Sequence, residues 1–110
     1  MIEETIKKIE TRIQKASSIT TENKAELLKL LATLESEIVS LSKSASEHAE
    51  SVAGFIERSA HEATRREKNP ELLRLSLAGL VESVKGFEGS HPRLTADINC
   101  ISTLLANMGI

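Results

Sequence analysis

Apolar residues recur at alternating steps of four and three in four stretches of this chain, and that spacing limits the fold more than any other feature. The sets are Ile2, Ile6, Ile9, Ile13 and Ala16; Leu27, Leu31, Leu34, Ile38, Leu41 and Ala45; Leu73, Leu77, Leu80, Val84 and Phe87; and Leu94, Ile98, Ile101, Leu105 and Met108. A 3.5-residue period places one apolar stripe along a helix, where it can pack on other helices. No segment sustains the strict alternation a half-buried strand requires. The pattern predicts an all-α chain, an antiparallel helical bundle with coiled-coil-like heptad packing, in a single domain spanning residues 1–110. The side chains suit it. There is no Trp and no Tyr, and Phe55 and Phe87 are the only phenylalanines, so Leu, Ile, Val and Ala must fill the core. Little material remains for an aromatic-lined ligand pocket.

Local signals place the helices at about 2–17, 21–68, 70–87 and 91–108. Thr20 or Thr21 offers a side-chain oxygen to cap the second helix. Asn69-Pro70-Glu71 combines a cap, a proline whose missing N–H costs nothing in the first turn, and an acid near the positive helix end. Gly86 through Pro92 ends one helix and opens the last. Gly109 is expected in the left-handed conformation, with Ile110 folded back on Leu105. Ser76, Gly79, Ser83 and Gly86 lie beside the Leu77–Val84 seam, where small side chains permit close helix approach.

Residues 21–68 contain no proline. Past Ala45 the strict heptad would bury His48, Val52, Phe55, Ser59 and Glu62, whereas one added step of four gives the more apolar Ala45, Ala49, Val52, Ile56, Ala60 and Ala63. The second register reads as a stutter within one long helix, kinked near 44–48. Such a helix would run about 70 Å, twice the ~35 Å diameter of a compact domain of this size. One short N-terminal helix could not cover its apolar residues, which include Leu28, Leu30 and Val39 off the main seam. A two-fold dimer is therefore expected, with Leu27, Leu30, Leu31, Leu34, Ile38 and Leu41 at the interface. The alternative is a turn at Ser40–Ser46 and closure as a single-chain five-helix bundle.

Chemistry is sparse. His61-Glu62 begins like a zinc-protease motif, but Arg65 stands where the second histidine belongs. Glu88 and His91 have di-iron spacing, yet lie across a helix break without a second pair. Cys100, the only cysteine, reads as a small core filler on a helix. The glycines are scattered and form no phosphate loop. These absences predict a non-enzyme without cofactor or metal. The net charge of −2 gives no global reason to expect nucleic acid. The densest basic cluster, Arg58, Arg65, Arg66 and Lys68, is interrupted by Glu62 and Glu67. No apolar run reaches bilayer length, and Met1-Ile2-Glu3-Glu4 lacks a secretory pattern, so the expected location is the cytoplasm.

The run Phe87-Glu88-Gly89-Ser90-His91-Pro92-Arg93-Leu94-Thr95, with the ending Asn107-Met108-Gly109-Ile110, resembles the small bacterial domain-of-unknown-function family 4404, best over residues 72–110. The segment from Ser59 to Arg65 is similar to its longer members. The resemblance implies a bacterial source and a short helical protein, and no activity. It marks Glu88, Ser90, His91 and Pro92 as the positions of any site. The leading expectation is a non-catalytic oligomeric adaptor or scaffold, a homodimer that also binds an unknown protein. The alternative is a nucleic-acid-associated accessory protein using the Arg58–Lys68 face. A third reading is a metal- or ligand-binding bundle using His48, His61 and His91.

Overall fold

A computed structural model describes residues 2–17 and 19–108. It contains α1 (Ile2–Lys15), α2 (Thr21–Ser42), α3 (Ser46–Ala63), α4 (Pro70–Ser83) and α5 (Pro92–Met108), and no strand among the described residues. Each helix starts and stops for local reasons. In α1, Glu3 and Glu4 occupy the first turn and Arg12 and Lys15 the last, complementing the helix dipole. Thr20 caps α2 by accepting from the Asn23 N–H at 3.1 Å. Asn69 Oδ1 accepts from the Leu72 N–H at 3.1 Å, with Pro70 opening α4. That helix ends at Ser83 rather than near residue 87, because the chain turns into Gly86 at φ +92°, a conformation that favours glycine. The cap expected at Gly109 and Ile110 lies outside the described residues.

The expected 21–68 helix is in fact two helices. Lys43, Ser44 and Ala45 form a turn between them. The Ser42 hydroxyl donates to Val39 O at 2.6 Å and Ser44 to Leu41 O at 3.5 Å, satisfying carbonyls at the end of α2. Serine and threonine hydroxyls compete in this way with helix continuation. Ala45 is extended at φ −147° and supplies no side-chain cap to α3. Ala49, Val52, Ile56, Ala60 and Ala63 are all buried as the shifted register places them, and so are Ser59 and Glu62 of the strict heptad. A change of phase is common to a stutter and to two helices that meet at a turn. Here it is the turn.

Folding back removes the length problem. The molecule measures 37 × 24 × 21 Å with a radius of gyration of 12.9 Å, and the 22-residue α2, at about 33 Å, fits within it. α3 packs against each of the other four helices; α2 also meets α1 and α5, and α4 meets α5. α1 and α4 have no mutual contact and lie on separate sides of α3. The small residues on α3's buried face, Ala49, Ala53, Ala60 and Ala63, are what allow so many neighbours to approach it.

The interface expected from the long helix is corrected with it. Leu27, Leu31, Leu34, Ile38 and Leu41 have no exposed surface within a single chain, because α1, α3 and α5 cover them. Leu30, Leu28 and Val39 are half-buried against the same core. Five of the six predicted interface residues are therefore closed to a partner unless the chain opens, and only Leu30 keeps part of its surface.

Candidate association surface

The unburied apolar surface lies elsewhere. α4 turns Leu73, Ser76 and Leu80 inward, while Leu72, Leu75 and Val81 remain 40%, 52% and 37% exposed. Phe55 of α3 is also exposed, at 37%. A Cβ at Gly79 would fall within the Phe55 ring, so glycine at that point lets the ring rest against α4. This is the close approach expected from the row of small residues, made by a side chain rather than by a helix backbone.

Charged pairs occupy the same exposed side of α4. Arg74 donates to Glu71 one turn earlier, and Lys85, just past the helix, reaches Glu82 at 3.1 Å. The hydrogen bond from Arg74, followed by its charge, holds the Glu71 carboxyl below the usual range, and raises Arg74 in turn. All four side chains are largely exposed, so these pairs orient charge and add little stability. α3 also holds a buried carboxylate: Glu62 is 3% exposed, accepts from Arg65 Nη1 at 2.8 Å, and lies 3.9 Å from His61 Nε2.

The residues marked by family resemblance build the joint between α4 and α5. Glu88 Oε2 accepts from the Gly86 N–H at 3.0 Å, Ser90 Oγ lies 3.1 Å from His91 Nδ1, and Pro92 is the first residue of α5. The Phe87 ring contacts His48 and His91 edge-on, at centroid distances of 5.3 and 6.1 Å. His61 belongs to the end of α3 beside Glu62, not to that aromatic group. Among the described residues, no three His, Cys, Asp or Glu side chains converge as a metal set.

Two further expectations change. The face from Arg58 to Lys68 is not one helix face, because α3 stops at Ala63. Arg65 bonds Glu62, and Lys68 Nζ donates to the Ala63 carbonyl at the end of α3. Cys100 is exposed rather than core, since α5 turns Leu94, Ile98, Ile101 and Leu105 inward and position 100 falls off that stripe. An open groove of about 830 Å³ is lined by α1 residues Lys7, Lys8, Arg12 and Lys15 with Glu4 and Glu57. Its mixed signs single out no ligand.

Phe55, Leu72, Leu75 and Val81 were not anticipated from the sequence, although α4 carried the signal. Glu71-Leu72-Leu73-Arg74-Leu75-Ser76-Leu77 holds more leucines than one seam can bury. α2 carries a similar surplus, but its neighbours largely cover it. Among the described residues, no helix is long and apolar enough to cross a membrane.

Comparison with known families gives a match to the family described as Domain of unknown function (DUF4404), over residues 27–110. α1 and the first turn of α2 precede the matched region. No curated protein and no solved structure matches the chain.

Proposed function

The chain belongs to the DUF4404 family, and on that footing we propose that it is a non-catalytic association module of the cytoplasm, a helical bundle with coiled-coil-like seams that binds protein through its α3–α4 surface. One observation carries this reading. Among the described residues, the exposed large apolar side chains Phe55, Leu72, Leu75 and Val81 all belong to α3 and α4, although single exposed leucines are ordinary on any protein. Exposed apolar side chains interspersed with charged ones, here Glu71, Arg74, Glu82 and Lys85, mark a candidate surface for binding protein.

The test compares wild-type protein with a Leu72→Ser/Leu75→Ser variant as affinity baits in the native host, with bound proteins quantified by mass spectrometry. Both positions are exposed, so circular dichroism should show the same helicity in the two baits. The reading requires partners enriched by the wild type and lost by the variant. Equal recovery by both baits would remove it.

A further inference from the structure

Six positions of α4 share one face of the helix, and Lys85 lies just past its end beside Glu82. Counted from Ala78, they lie three, four and seven residues away on either side, the offsets that return to the same side of a helix. On the N-terminal side stand Leu75, Arg74 and Glu71; on the C-terminal side, Val81, Glu82 and Lys85. All seven are exposed. Read outward from Ala78, the two halves have matching apolar character at the first step and opposite charge at the next two.

From this symmetry we propose that the partner of the surface is a second copy of the chain, bound through α4 antiparallel to its mate about a two-fold axis at Ala78. The proposal rests on the association reading above and specifies its occupant. A two-fold axis at Ala78 sets each position opposite the one equally far on the other side. Leu75 then meets Val81 of the second copy, Arg74 meets Glu82, and Glu71 meets Lys85. The small side chain of Ala78 lets the helices approach at the axis. A parallel, in-register pair would instead place Glu71 against Glu71 and Arg74 against Arg74, so charge selects the antiparallel arrangement. The ion pairs Glu71–Arg74 and Glu82–Lys85 within each chain become links in a row of alternating charge across the contact. With a helix of only 14 residues, the interface falls in the small, transient class. Self-association is therefore weak, and salt weakens it further.

Sedimentation equilibrium on the intact chain from about 10 µM to about 1 mM, the range suited to a small interface, tests this at low and at high salt. The wild type should dimerise. Arg74→Glu places a second carboxylate opposite Glu82 at both ends of a homodimer, and Glu82→Arg places two guanidinium groups opposite each other. Each variant alone should lose at least about tenfold in dimer affinity, on the scale of 1.4 kcal/mol. Mixed together, the two variants restore both cross-pairs, and the mixture should dimerise like the wild type. Recovery on mixing also shows that both variants are folded. Three results would overturn the proposal: a wild type that stays monomeric throughout, a dimer indifferent to both charge reversals, or a mixture that fails to recover. If any of these occurs while the serine variant still loses host partners, self-pairing fails and the association reading stands.

Discussion

Replacing Gly79 by alanine sets two effects of similar size against each other, and the structure decides between them. Alanine in a helix interior is favoured over glycine by about 1 kcal/mol. At Gly79 the added methyl would overlap the Phe55 ring, which must swing outward. Fully burying a phenylalanine is worth about 1.5–3 kcal/mol. A ring that is 37% exposed has only part of that to lose, about 1–2 kcal/mol. Gly79→Ala should therefore change stability by no more than about 1 kcal/mol, on the unfavourable side of zero. In a Phe55→Ala background the obstruction is gone, and the same substitution should stabilise by about 1 kcal/mol. The coupling between the two sites is then about 1–2 kcal/mol. Gly54 is the control: it lies inside α3 with nothing within 4 Å of its would-be Cβ, so Gly54→Ala should simply stabilise. Urea denaturation followed by circular dichroism measures all of these, provided the m-values agree. If Gly79→Ala stabilised as much as Gly54→Ala in the wild-type background, Phe55 would not be resting on α4 as described.

Leu34 is fully buried within one chain, so Leu34→Ala should cost about 2–5 kcal/mol, and sedimentation should show no change in association beyond that caused by unfolding. Asn69→Ala removes the cap on α4 and should lower the urea midpoint by the equivalent of about 1 kcal/mol. Arg65→Met leaves the Glu62 carboxylate buried without its strongest partner. Because Arg65 is 29% exposed, the loss should be about 2 kcal/mol, below the 3–5 typical of a fully buried pair. Adding Glu62→Gln should recover much of it, and failure to recover would mean that Arg65 acts through packing alone.

Helix type and buried faces were legible in the sequence because both follow from spacing. Ile6, Ile9 and Ile13, the Leu27–Leu41 row and Leu94–Leu105 are buried where the heptads placed them. Asn69 and Thr20 cap because their side-chain chemistry acts within three residues. The break at Lys43–Ala45 was less legible. It contains no proline or glycine, and its cause is the summed weakness of several serines, whose hydroxyls bond carbonyls at the end of α2. Continuity through that point set the fate of every leucine on α2, so one misplaced turn put the expected interface on a row that a single chain buries. The association surface was obscured for a further reason: which of two leucine-rich helices retains exposed leucines depends on how many neighbours each acquires. α2 touches three helices and α4 only two, a property of the assembled topology.

The contact between α2 and α5 also bears on how the chain comes into being. Leu27 and Leu31 lie far from Ile98 and Leu105 in sequence, and the ribosome makes the N-terminal partner first. Until α5 has emerged, one side of α2's leucine row has no native cover, whatever α1 and α3 have already achieved. The first four helices can gather into a loose assembly, but a tightly ordered core must await the last. Before α5 emerges the exposed apolar surface is therefore the α2 leucine row, and once α5 has docked it is the exposed side chains of α3 and α4. A chaperone that reads apolar surface would meet a different face of this protein at each stage.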